Sequence, residues 1–201
     1  LVGSEMCIRD SDCNARQKVI RVKTPPRPAG QSDVLKLRCE PISTVRVGFI
    51  GIGSRGLAAV HRFLSIPGVE IKALCDLESE NLDKARALLV HAKFPAAQEY
   101  SSKNGYKEIC ERQDIDLIYI CTDWLNHTPI AVYAMEHGKH TAIEVPSAVT
   151  LEQCWELVNT AEKTRRHCMM LENCCYDRFE MATLNMAQKG LFGEIVHVEG
   201  A

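Results

Sequence analysis

The sequence predicts an α/β chain built on a doubly wound parallel sheet, and three observations carry that prediction. From residue 45 onwards, short apolar runs alternate with segments whose apolar residues recur at helical spacing. The first run, Val45-Arg46-Val47-Gly48-Phe49-Ile50, leads straight into Gly51-x-Gly53-x-x-Gly56. The third, Asp116-Leu117-Ile118-Tyr119-Ile120-Cys121, is apolar on both faces, as a central strand covered by helices on both sides requires.

Taken in order, the elements begin late. Met6-Cys7-Ile8-Arg9-Asp10-Ser11 is what a string resembling a transposon-end sequencing adapter would encode, so residues 1–11 are expected to be an artefact and are set aside. Residues 12–43 are basic and carry Pro25, Pro26, Pro28 and Gly30 without periodicity, which predicts an extended leader. The sheet domain is expected over 44–173, with strands at 45–50, 69–75, 115–121, 140–144 and 168–172. Helices are expected between them at 55–65, 78–92, 104–112, 128–137 and 150–164, the fourth opened by Pro129. Strands joined through helices imply right-handed crossovers and parallel pairing. Residues 174–201 read as the start of a second, truncated domain: a helix near 177–189 ending at Gly190, then a strand beginning at Ile195. The chain is expected to be a fragment whose own N-terminus, and any targeting segment, is missing.

Bulk properties exclude several functions. The 201 residues suit one domain with part of another, and a formal net charge of −2 gives no electrostatic footprint for nucleic acid. No apolar stretch reaches membrane-spanning length. The ten cysteines include no C-x-x-C pair and no grouping with zinc-ligand spacing, so neither a metal site nor a disulfide framework is expected. Cys75, Cys121 and Cys168 fall inside expected strands, where they serve as small buried hydrophobes.

The glycine loop carries the chemistry. Gly51 permits a tight turn out of the strand, Gly53 lets backbone approach a pyrophosphate, and Gly56 lets the next helix pack closely. The amides at that helix N-terminus, Ser54 and Arg55 among them, then face phosphate with the positive end of the dipole. The second strand ends on Asp76, twenty residues past Gly56, where a carboxylate accepts the adenosine ribose hydroxyls and repels a 2′-phosphate. This is a Rossmann dinucleotide site, read as NAD rather than NADP. Arg55 is expected to lie along the cofactor's phosphates or ribose.

Other candidates follow from the rule that ligands bind beyond the carboxyl ends of the strands. After the central strand, Trp124 is placed to cover a cofactor ring and His127 to bond a ribose or substrate hydroxyl, with core packing and a helix cap as the alternatives. Glu144 ends an apolar strand and must meet a ribose hydroxyl or a neighbouring donor, while Pro146 stiffens the turn in a cis or trans bond. Asn173 is a strand-end amide facing the same cleft; Glu172 and Tyr176 read equally as ligands or as structure. His61, His91, His137, His140 and His167 read as surface or satisfied core residues.

The order glycine loop, Asp76, Thr122-x-x-x-x-His127, then Glu144-x-Pro146 resembles the Gfo/Idh/MocA oxidoreductase family. Within it, Gly138-Lys-His-Thr-Ala-Ile-Glu-Val-Pro146, Leu171-Glu-Asn-Cys-Cys-Tyr176 and Asn185-Met-Ala-Gln-Lys-Gly-Leu-Phe-Gly-Glu194 resemble the NAD-dependent glycosidases of glycoside hydrolase family 109, the α-N-acetylgalactosaminidase type. The resemblance covers about residues 24–201 and implies an NAD site lined by Ser54, Arg55, Asp76, Trp124, Leu125, Asn126, His127, Glu144, Val145 and Asn173. Sugar dehydrogenases of the family carry a lysine that assists hydride transfer where this chain has Val145, and a valine relays no proton. The resemblance therefore implies hydrolysis through transient oxidation at the sugar C3, elimination across C2–C1, water addition and return of the hydride. It implies a carbohydrate substrate, with His127 and Tyr176 as catalytic candidates and most substrate contacts beyond Ala201. Self-association through that further domain is an open expectation, and export signals among such relatives would suit a periplasmic site. A sugar dehydrogenase of the same family and a non-catalytic nucleotide-binding protein are the alternatives.

Overall fold

The structure is a computed structural model that describes residues 5–8, 20–23 and 25–198. It divides into two units, Leu1–Asp33 and Val34–Ala201. In the first, strand β1 (Glu5–Ile8) pairs antiparallel with β2 (Ile20–Lys23). The expected leader thus contains a strand, and so does the segment set aside as an artefact. Ile20 and Val22 alternate with Arg21 and Lys23, a period-two signal that the neighbouring prolines obscured.

The second unit holds six parallel strands: β3 (Val45–Ile50), β4 (Val69–Cys75), β5 (Gln98–Tyr100), β6 (Leu117–Ile120), β7 (His140–Ile143) and β8 (Cys168–Met170). Their spatial order is β5-β4-β3-β6-β7-β8. The helices between them are α1 (Ser54–Phe63), α2 (Ser79–His91), α3 (Gly105–Glu111), α4 (Trp124–Glu136) and α5 (Leu151–Thr164). A 3₁₀ turn, Asn173–Tyr176, and helix α6 (Arg178–Gln188) follow.

Strand alternation sorts the core onto two faces. Val47 and Phe49 of β3 and Tyr119 of β6 join Ala59, Val60, Leu82 and Leu89 from α1 and α2. Ile50, Ile118 and Ile120 point the other way, into Ile109, Ile130, Met135 and Leu157 from α3, α4 and α5. Each face is therefore closed by its own helical layer, which is the doubly wound arrangement. Burying a side chain the size of Phe49 contributes about 1.5–3 kcal/mol. Gly48 belongs to this packing: a Cβ there would lie 2.7 Å from Ile109 Cγ2, so α3 seats directly on the strand.

In the second unit the structure departs from the sequence reading at three further places. Strand β5 was not foreseen, because a three-residue edge strand reading Gln-Glu-Tyr has no apolar run to announce it. Helix α4 starts at Trp124 rather than at 128, because Asp123 caps it: its carboxylate Oδ1 accepts the Leu125 N–H at 3.0 Å. Pro129 lies inside the helix and costs one backbone hydrogen bond instead of opening it. Residues 195–198, where a strand was expected to begin, carry no strand among the described residues.

Candidate functional site

Strand order reverses between β3 and β6, and in open α/β sheets the crevice outside such a switch point receives the ligand. A cavity of about 590 Å³ opens there, lined by Gly51, Gly53, Asp76, Ser102, Thr122 and Asn126 among others. Cys121 and Thr122 also line a second cavity of about 360 Å³ with Arg55, Trp124, His127, Glu144, Val145 and Asn173. All thirteen residues read from the sequence as cofactor ligands except Ser54, Gly56 and Leu125 border one of these two spaces.

The three glycines are required for different reasons. Gly51 has φ +86°, and a Cβ on it would lie 2.5 Å from the Cys121 carbonyl group. A Cβ on Gly56 would lie 2.0 Å from the Gly51 oxygen. Gly53 has nothing within 4 Å, so no protein atom forbids a side chain there. It is also the N-cap of α1, with no side-chain cap and no acid in the first turn, which leaves the positive end of the helix to the cavity.

Asp76 is held at the rim. Its Oδ2 accepts the Ile52 N–H at 2.5 Å, while Oδ1 accepts from the Glu78 N–H at 2.9 Å and Asn81 Nδ2 at 3.2 Å. These bonds tie the glycine loop to the end of β4. The β5–α3 connection supplies Ser102 and Lys103 to the same cavity, and the first turn of α3 supplies Tyr106; detecting that edge strand would have put them beyond its carboxyl end.

At the other cavity the charges pair with each other. Glu144 is buried, and its Oε1 receives both the Tyr119 hydroxyl at 3.0 Å and Arg55 Nε at 3.0 Å. Arg55 Nη2 donates to Asn173 Oδ1 at 3.0 Å. The neighbouring donor expected for Glu144 is thus Tyr119 with Arg55. Arg55 itself reaches to the end of β7, drawn there by a buried anion. The hydrogen bond and charge of Glu144 raise the Arg55 pKa above its ordinary value. Tyr119 was not singled out from the sequence, where it reads as one more apolar residue of a central strand.

His127 is 1% exposed, with Nδ1 2.7 Å from the Pro146 oxygen and Nε2 3.0 Å from the Thr122 oxygen. Both ring nitrogens face backbone carbonyls of two different loops, and a neutral ring donates its single N–H to one of them. Thr128 Oγ1 donates to the Ser147 oxygen at 2.9 Å and fixes the same turn, in which Val145–Pro146 is cis. Trp124 is 62% exposed at the first turn of α4, and Leu125 and Tyr176 are likewise exposed. Val145 is 39% exposed beside the buried Glu144. Burial pushes the Cys75 and Cys121 thiols up to about 12, which keeps them protonated and apolar. Among the described residues no group of three or more His, Cys, Asp or Glu is disposed to hold a metal, and no helix is long and apolar enough to cross a membrane.

Comparison with known proteins gives consistent matches. The Gfo/Idh/MocA family, described as an oxidoreductase family with an NAD-binding Rossmann fold, matches residues 45–172. An α-N-acetylgalactosaminidase of Bacteroides fragilis is 60% identical over 180 residues, covering 90% of this chain and 41% of its own length. A glycosyl hydrolase family 109 protein of Phocaeicola vulgatus is 54% identical over 202 residues, covering 100% of this chain and 43% of its own. The chain thus spans about two-fifths of these relatives. Scyllo-inositol dehydrogenase of Lactobacillus casei, solved with NAD(H) and scyllo-inositol, superposes with a TM-score of 0.67 at 18% identity, over 76% of this chain and 43% of that one. At that identity the likeness speaks for the fold.

Proposed function

The chain belongs to the Gfo/Idh/MocA oxidoreductase family, and from that premise we propose that it is the cofactor-binding part of an NAD-dependent glycosidase acting on N-acetylgalactosaminides. The observation that carries this reading is Val145. It stands half-exposed on the wall of the 360 Å³ cavity, next to a buried Glu144, where a dehydrogenase would use a lysine. The high identity to a glycosidase of that name supports the same branch.

The residues present fit NAD. Gly53 leaves open space at a helix N-terminus that has no acid and no side-chain cap, which suits a pyrophosphate. Asp76 supplies a fixed carboxylate at the rim, which suits a ribose diol and disfavours a 2′-phosphate. Gly51, Ser54 and Gly56 complete the loop; Asn126 lines the larger cavity, and Trp124, Glu144, Val145 and Asn173 line the smaller one. NAD, when bound, supplies a nicotinamide that accepts and returns a hydride, so the net reaction remains hydrolysis. The chain's own residues orient and insulate it. Arg55 balances the Glu144 charge, Asn173 fixes Arg55, His127 sets the two loops, and Trp124 with Val145 offers apolar surface that excludes water. The test follows aglycone release and reduced-nicotinamide absorbance together in one reaction of the full-length protein.

A further inference from the structure

We propose that Tyr119 is a positioning residue of this site, holding the Glu144 carboxylate from within the sheet so that its second oxygen stays turned to the ligand. The proposal rests on the reading of Glu144 as part of the NAD site. Tyr119 lies on the central strand β6 and is 5% exposed. Its ring packs against Phe49 and Phe63, with centroids 5.1 and 5.3 Å away. A phenylalanine would serve that packing equally well. The hydroxyl is therefore the unexplained part, and it donates to Glu144 Oε1 at 3.0 Å. Burial raises the phenol's pKa, which keeps the group a donor at every working pH.

The geometry gives the hydroxyl a specific task. Tyr119 and Arg55 both converge on Oε1, which leaves Oε2 for a ligand donor. Arg55 is then free to give Nη2 to Asn173 Oδ1. Four elements meet in this network: α1, β6, the end of β7 and the 3₁₀ turn. Without the hydroxyl, the carboxylate can swing round and take both Nε and Nη2 of Arg55 as a fork, the stronger arrangement for an arginine–carboxylate pair. That swing would release Asn173 and turn Oε2 away from the cavity.

The experiment is a double-mutant cycle on the full-length protein, with NAD⁺ affinity measured by calorimetry for wild type, Tyr119→Phe, Glu144→Ala and the pair. Tyr119→Phe is expected to weaken NAD⁺ binding about tenfold, as loss of a hydrogen bond to a charged group does. In the Glu144→Ala background the same change should alter affinity less than about twofold. The side-chain amide resonances of Asn173 report independently of the second variant: they should shift in Tyr119→Phe as Arg55 leaves. Unchanged affinity and unchanged Asn173 signals in Tyr119→Phe would overturn the proposal. So would an equal loss in both backgrounds, which would mean the hydroxyl acts through the fold. A wild-type protein that takes up no NAD⁺ would remove the site reading itself, a failure distinct from the other two.

Discussion

A methyl group on Gly56 would sit 2.0 Å from the carbonyl oxygen of Gly51, whereas one on Gly53, between them in the loop, would touch no protein atom. The family's glycine loop thus mixes two demands, one made by the fold and one made by what fills the cavity.

Gly56→Ala and Gly53→Ala should therefore fail in different ways. The first forces backbone apart and is expected to cost about 1–3 kcal/mol of stability. The second should leave the unfolding temperature near wild type and weaken NAD⁺ binding at least about tenfold, since the methyl would occupy space required by the pyrophosphate. Thermal unfolding and NAD⁺ titration of both variants check this. A Gly53→Ala protein with native affinity would mean that no ligand approaches that backbone.

Asp76 is expected to set cofactor choice. Asp76→Ala removes the acceptor for a ribose diol and also the bond that ties Ile52 to the end of β4. NAD affinity should fall about tenfold or more while the preference over NADP narrows. Dissociation constants for both cofactors measure this, and two unchanged values would take Asp76 out of the site.

Much of this arrangement was legible beforehand because it depends on local signals. The alternating apolar runs and the glycine loop predict the sheet, and strand-end positions put Asp76 and Glu144 on the cavity walls; Asn173, expected just past a strand, opens the 3₁₀ turn after β8 and lines the smaller cavity. What escaped depends on partners distant in sequence. Strand β5 has too little apolar content to declare itself and is recognisable only by pairing with β4. Arg55 follows a buried anion at the end of β7, distant in sequence, which no spacing rule encodes. His127 lies between carbonyls of two different loops, an arrangement that its place after a strand does not encode. Tyr119 looked apolar because its ring is; its hydroxyl matters only once β7 lies alongside β6.

Val145→Lys tests the choice between branches. A lysine there would stand beside Glu144 and compete with Arg55 for its carboxylate. It would also add a positive charge near a cationic nicotinamide. Glycoside cleavage by the full-length variant is expected to drop with little gain in NADH from free sugar. A variant that cleaves normally would show that residue 145 does not face the reacting sugar.

The glycosidase reading is put to the test by giving the full-length protein an aryl α-N-acetylgalactosaminide and NAD⁺ in catalytic amount, then recording aglycone release and absorbance at the reduced-nicotinamide band in the same cuvette. Many turnovers of aglycone per NAD⁺ are expected, with no accumulation of NADH. Stoichiometric NADH from a free sugar, with the glycoside left intact, would contradict it and identify a dehydrogenase.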